Sequence, residues 1–468
     1  MFCELIIRSK MYTCTLIFLL CTFNFNYVKS NNVLNVRDVG EPLFLTPLIE
    51  SNKIYEARNA AKVDPKLFHN IQSYSGYLTV DKRFHSNLFF WFFPAQENYQ
   101  QAPVLLWLQG GPGASSLYAL FEENGPFYLK ASNKLELNQH SWAKKHSVIY
   151  IDNPVQTGYS FTKGGFAKNQ TKVGEDLYQA LKQFFTLFPE LQHNDFFVTG
   201  ESYGGKYVPA IAYKILMMNP LTNLKINLKG ITIGNGLCDP EYQVEIHDHV
   251  YQLGLIDSNG RQKFINMEQK VIYYIRKKQF DKAFRVFDNF LNGDFNGGNT
   301  LFKNLTGFTN YFNFLNAYSD RSKEPVSYFI QQEHIRKAIH VGNLTFNNGV
   351  ETEKNLLSDI MDSVAPWISE ILNHIRVLFY NGQLDLIVPY TSTVNFIRNL
   401  NFSAANEYKT AARHFWSDDK EIAWYVKEAG NLTEVMVRNS GHMVPTDQPA
   451  WALNLISRFV RNQPLWNK

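Results

Sequence analysis

The chain has 468 residues, 45% of them hydrophobic and 19% charged, with a formal net charge of +4. That balance buries a large core, excludes a disordered or fibrous chain, and allows one large domain with an insertion or two to three smaller ones. The small positive excess forms no basic stripe, so nucleic acid is not an expected partner.

Arg8 and Lys10 precede an apolar run over 12–25, and Val28-Lys29-Ser30 puts short residues where a signal peptidase cuts. Residues 1–30 therefore read as a secretory signal peptide. The run is shorter than the about 20 apolar residues that span a bilayer, so no stable membrane anchor is expected. Five N-x-[ST] sequons follow, at Asn169, Asn304, Asn343, Asn401 and Asn431. They suit a glycosylated protein that is secreted or, alternatively, lysosomal. Cys3, Cys14 and Cys21 fall within the signal, which leaves Cys238 alone in the mature chain. No internal disulfide can then form, and a buried, inert thiol is expected.

After a polar entry segment, 76–80 and 88–93 read as a first hairpin. Strands are predicted at 104–108, 148–151, 196–199, 230–233, 377–380 and 435–438, and helical spacing appears at 173–188, 203–218 and 422–428. Alternating strands and helices predict an α/β fold with a mostly parallel central sheet covered on both faces. From 239 to 337 the rhythm changes. Phe264, Met267, Val271 and Tyr274, then Phe280, Phe284, Phe287 and Leu291, mark two amphipathic helices with no strand between. The expected organisation is a core in two parts, 31–238 and 338–468, interrupted by a helical cap at 239–337 over the catalytic edge of the sheet.

Gly200-Glu201-Ser202-Tyr203-Gly204 follows the apolar run 196–198 and precedes a helical pattern. A serine between two glycines at a strand-to-helix turn is how an α/β-hydrolase exposes a nucleophile. Such a serine needs a base and a carboxylate, supplied later in the chain in the order Asp, His. Asp385 follows the strand at 377–380, and His442 follows that at 435–438. Both lie in turns after strands and so reach the same sheet edge as Ser202. The consecutive glycines of Trp107-Leu108-Gln109-Gly110-Gly111-Pro112-Gly113 expose backbone N–H groups, an oxyanion-hole candidate whose second donor is the N–H of Tyr203. His247 and His249 have no third ligand nearby in the sequence, so no metal is assigned to them.

Taken together, W-L-Q-G-G-P-G-A-S-S (107–116), D-N-P (152–154), T-G-E-S-Y-G-G-K-Y-V-P (199–209), I-G-N-G (233–236), N-G-Q-L-D (381–385) and G-H-M-V-P-T-D-Q-P (441–449) resemble the serine carboxypeptidases over almost the whole mature chain. The wording around Gln109, 381–385 and 340–343 is most similar to the vitellogenic-like and venom branch. The resemblance implies a secreted exopeptidase that releases C-terminal residues from peptides and proteins through an acyl-enzyme, with no metal or organic cofactor. Ser202 is then the nucleophile, His442 the general base and acid, Asp385 its orienter, and the N–H groups of Gly111 and Tyr203 the oxyanion hole. Gln109 and Gly110 match positions that bind the substrate's terminal carboxylate, Trp107 lies beside them, and Glu123 and Glu201 match an acidic pair behind that site. Two close carboxyls do not both ionise readily, so a shared proton can donate to a carboxylate in mildly acid solution. The chain departs from many relatives at Gln109, where asparagine is common, at Ala114, where a disulfide cysteine is common, and at Gln156, where a smaller residue is common. Acyl transfer or ester hydrolysis by the same triad, and a non-catalytic binding role, are the competing functions.

Overall fold

A computed structural model describes residues 38–295, 297–318, 325–418 and 420–467, so the expected signal peptide lies outside the described residues. Ten strands make one sheet: β1 (Tyr74–Asp81), β2 (Ser86–Phe93), β3 (Val104–Leu108), β4 (Ser147–Ile151), β5 (Phe196–Glu201), β6 (Leu228–Gly234), β7 (Arg376–Gly382), β8 (Arg413–Ser417), β9 (Ile422–Ala429) and β10 (Leu432–Val437). Their order is β1-β2-β4-β3-β5-β6-β7-β10-β9-β8. The pairings from β4 through β10 are parallel. Two antiparallel wings flank them, β1-β2-β4 and β10-β9-β8. This is the α/β-hydrolase fold, as expected.

The period of two along each strand divides the core. In β3, Leu106 and Leu108 point to one side with Val198, Ile231 and Phe379, and Leu105 and Trp107 point to the other with Phe197, Leu378 and Tyr380. Because both faces are covered, all five residues of β3 are buried, which is why its sequence is continuously apolar. The first face is covered by α1 (Gln170–Leu187) and α2 (Gly204–Met218), through Leu177, Leu181, Phe184, Val208 and Ile211. The second is covered by the helices Ser116–Glu122 and Pro449–Val460.

One predicted helix is a strand. The spacing of Ile422, Tyr425 and Val426 reads as helical, but this segment is β9, paired antiparallel to both β10 and β8. Its β-branched and aromatic residues favour a pleated surface, and Trp424 stacks on Trp416 across the pair with ring centroids 4.3 Å apart. Trp424 and Val426 are buried on one face and Ala423 and Ala429 on the other, so apolar residues occupy both faces and the alternation that marks a strand is lost.

Among the described residues of 239–337 there are helices and no strand, including α3 (Ser258–Arg276) and α4 (Phe280–Phe287). Helical structure continues past 337. The helix Glu333–Ala338 straddles that position, and α5 (Val350–Ile360) and the helix Ala365–Leu372 precede β7. His247 Nδ1 lies 2.6 Å from Glu268 Oε2, an ion-pair geometry that ties the helix His247–Gln252 to α3.

Cys238 is free and buried, and it has a structural task. Pro209 sits inside α2 and lacks the N–H that would bond the carbonyl of Gly205. The Cys238 thiol donates to that carbonyl instead, with Sγ 3.2 Å from the oxygen. Burial pushes the thiol pKa up, so the proton that makes this bond is retained. A disulfide reagent should therefore find no reactive thiol in the native mature protein and one per chain in denaturant. Rapid native labelling, or more than one thiol, would refute this account.

Candidate active site

The turn after β5 forces Ser202 to φ +60°, a left-handed conformation that costs a non-glycine residue about 1–2 kcal/mol. Surrounding backbone bonds hold it there. Ser202 N donates to Gly234 O at 3.0 Å, and Ser202 O accepts from Gly205 N at 2.9 Å and Leu237 N at 3.0 Å. The turn after β3 lies directly against this elbow. A Cβ on Gly110 would stand 2.6 Å from both Ser202 Cβ and Tyr203 N, so only glycine permits the approach. Gly111, Ser202 and Tyr203 consequently border one cleft, whose lining includes Phe284, Phe287 and Met361.

Asp385 and His442 come from the turns after β7 and β10 and meet at 2.8 Å between Asp385 Oδ2 and His442 Nδ1. The pair is buried, with Asp385 0% and His442 3% exposed. Asp385 also accepts from Asn235 Nδ2 at 2.8 Å, Ile387 N at 3.0 Å and Val388 N at 3.3 Å. With four donors on it, the carboxylate fixes the proton of His442 on Nδ1, and Nε2 is left as a buried acceptor that makes no hydrogen bond with any described residue.

Two contributors to this pair were not assigned from the sequence. Asn235, in I-G-N-G, bonds Asp385 through Nδ2 and accepts from Gly382 N through Oδ1 at 3.1 Å. The signal available was an asparagine between two glycines, since asparagine is among the few residues that tolerate the left-handed φ of +41° found there. The segment Tyr311–Phe314 threads between the Asp385 and His442 loops. Leu386 N donates to Tyr311 O, Phe314 N to Leu384 O, and His442 N to Phe312 O at 2.7 Å. The Phe312 ring lies on the imidazole with centroids 5.0 Å apart. No sequence pattern in this aromatic stretch announces that role.

The second cluster lies behind the elbow. Trp107 Nε1 donates to Gln109 Oε1 at 2.8 Å, and Gln109 Nε2 donates to Glu123 Oε1 at 3.2 Å and Glu201 Oε1 at 3.0 Å. The longer arm of glutamine lets one amide reach both carboxyls. Glu123 and Glu201 are buried and in contact, and burial raises both pKa values well above the ordinary carboxyl range, the negative charge of Glu123 adding to the effect on Glu201. As two carboxylates they would each leave Oε2 buried without a donor, whereas one shared proton satisfies both. Gln156 turns away from the cleft, its Nε2 donating to Thr162 O at 3.0 Å. No group of three or more metal-ligating side chains occurs among the described residues.

The sequence and the fold have counterparts among known proteins. The profile of the family described as "Serine carboxypeptidase" matches residues 64–462. The venom serine carboxypeptidase of Apis mellifera is 51% identical over 92% of this chain and 93% of its own length. The vitellogenic carboxypeptidase of Aedes aegypti is 47% identical over 91% of each. Among solved structures, the prohormone-processing carboxypeptidase Kex1Δp of Saccharomyces cerevisiae superposes with a TM-score of 0.73 at 24% identity, covering 86% of this chain and 96% of that one, a likeness of fold. With a family match spanning most of the sequence and relatives aligned nearly end to end, this chain belongs to the serine carboxypeptidase family.

Proposed function

We propose that this enzyme removes C-terminal residues with Ser202 as nucleophile, His442 as base then acid, and Asp385 as orienter. His442 Nε2 takes the proton of Ser202 Oγ as the oxygen attacks the last peptide carbonyl. The N–H groups of Gly111 and Tyr203 hold the oxyanion. His442 then protonates the departing amine, an ester remains on Ser202, and water activated by the same imidazole releases the shortened peptide. No step calls for a cofactor.

The observation that favours an exopeptidase over a general hydrolase is the Trp107–Gln109–Glu123–Glu201 cluster, whose Glu201 immediately precedes Ser202. With Gly110, it offers donors and a shared proton where a terminal carboxylate would lie. Incubation with a defined peptide mixture, read by mass spectrometry, should show single residues lost from free C-termini and intact C-terminal amides at acid pH. Internal cleavage, or no loss, would overturn this reading.

Asn235 acts through Asp385 and is a positioning residue. Asn235→Ala should lower kcat about 10- to 100-fold with little change in KM, because tilting the Asp385–His442 pair by a fraction of an ångström spoils proton transfer without touching substrate contacts. Recovery by Asn235→Asp or equal loss in KM would contradict it, since the aspartate brings charge and no amide donor.

The helical stretch 239–337 serves as the cap, supported by Phe284 and Phe287 at the cleft wall. Export, to the outside or to lysosomes, is favoured by the sequons. Asn169, Asn304, Asn343 and Asn401 are exposed, whereas Asn431 is half-buried and its Nδ2 donates to Leu372 O at 2.9 Å. Among the described residues no helix is long and apolar enough to cross a membrane.

A further inference from the structure

An acidic side chain stands in the otherwise mostly apolar wall of the cleft that Ser202 faces. Glu353 lies in the first turn of α5, where an acid ordinarily complements the helix dipole from solvent, as the exposed Glu351 does while pairing with Lys354 at 2.8 Å. Glu353 does not fit that description. It is half-buried and lines the cleft with Phe284, Phe287, Ile360 and Met361, and its carboxyl makes no hydrogen bond or ion pair with any described residue. The charged and titratable groups facing it are Asp288 and Asp294, across the cleft beyond α4, and the phenol of Tyr207 on α2. None is a cation.

Helix α5 is also held in place. Lys206 Nζ donates to Asp359 O at 2.6 Å and to Asp362 O. Asp359 Oδ2 accepts from Tyr203 Oη at 2.5 Å and from Gln170 Nε2 at 2.6 Å. The far end of α5 is thereby bonded to the residue next to Ser202, which fixes the distance from Glu353 to the elbow.

The direction of the cleft tells which substrate residue it receives. On the reading given above, the C-terminal residue carries its carboxylate to Gln109, Glu123 and Glu201, and none of these lines this cleft. The cleft must then take the residue on the acyl side of the scissile bond. We propose that Glu353 selects substrates whose penultimate residue is lysine or arginine, the aliphatic stem lying against Phe284, Phe287, Ile360 and Met361 and the cationic end meeting the Glu353 carboxylate. A long stem with a charged tip matches a mostly apolar cleft whose lining carries one acid. Unfilled, the site carries a cost that a cation removes. Burial, with Asp294 and Asp288 adding repulsion, pushes the Glu353 carboxyl up to about 8.

The test compares N-blocked Lys-Leu with norleucine-Leu, which shares the stem and lacks the charge. The ratio of their kcat/KM values cancels the triad and the carboxylate site, which both substrates use alike. At pH 7 the wild-type ratio should be about tenfold in favour of lysine, because the incoming ammonium draws the Glu353 carboxyl into its ionised form and makes a charge-assisted contact in a half-buried site. It should be smaller at pH 5, where Glu353 keeps its proton more firmly. Glu353→Gln should bring the ratio at pH 7 close to one. A wild-type ratio at or below one overturns the proposal whatever the variant does, as does a ratio unchanged in Glu353→Gln. If neither peptide loses its leucine while a C-terminal amide or ester of the same sequence is hydrolysed, the carboxypeptidase reading fails, and this proposal with it.

Discussion

Ser202→Ala is expected to reduce turnover by about 10⁴ to 10⁶ while leaving the fold intact. The magnitude follows from geometry. Ser202 Oγ is the attacking atom in the proposed mechanism, and the neighbouring hydroxyl, that of Tyr203, is buried and bonded to Asp359. Stability should change little, because the bonds that hold the elbow are made by Ser202 N and Ser202 O, which alanine retains. Alanine also bears the left-handed φ at about the same cost as serine. A thermal melt beside the rate measurement separates the two effects. A purified variant that melts like wild type and hydrolyses peptide at a near-normal rate would remove Ser202 from the mechanism. Labelling of the wild-type protein by a fluorophosphonate, absent in the variant, gives an independent readout.

How much of this was legible beforehand depends on what each feature rests on. The parallel strands β3 to β7 are short apolar runs bounded by turns, and the long buried helices α1 and α2 have strong periodicity, so local sequence carries them. The segment of β9 fails because residues on both its faces are buried and its partners β8 and β10 can be known only from tertiary pairing. The same divide runs through the site. Ser202, Asp385 and His442 sit in motifs with glycine and asparagine turns that leave a trace in the sequence, and the structure brings Asp385 and His442 to 2.8 Å of each other. Phe312 and Asn235 hold that pair through contacts of long range in the chain, and Glu353 matters only because α4 and α5 enclose it with the elbow. Such roles arise from packing, which one sequence does not display. Cys238 belongs with them. Its burial was expected, yet its bond to the carbonyl freed by Pro209 depends on how α2 meets the loop after β6.

The second large effect is on pH, and its sign differs between two parts of the proposed site. A histidine base has to be neutral, so the triad alone favours rising pH. Glu123 and Glu201 act in the opposite direction. Burial raises both above the ordinary carboxyl range, so their shared proton is held in mildly acid solution and lost as pH rises towards neutrality and beyond. Loss of that proton removes a donor and sets a second negative charge beside the substrate carboxylate. For a peptide with a free C-terminus, KM should therefore rise with pH, by up to about tenfold per unit once the pair is losing its proton. A C-terminal amide or ester brings no carboxylate, and its kcat/KM should instead improve towards neutrality. Glu123→Gln should flatten the rise in KM, because the amide is a donor at every pH and leaves Glu201 without a partner to repel. That variant also tests the part played by Gln109, whose Nε2 bridges the two acids and would keep an oxygen acceptor on each side. The comparison needs only kcat/KM for the two substrate types between pH 4.5 and pH 8. Parallel profiles would mean that Glu123 and Glu201 do not read the substrate's carboxylate, and would leave the triad as the sole source of the pH dependence.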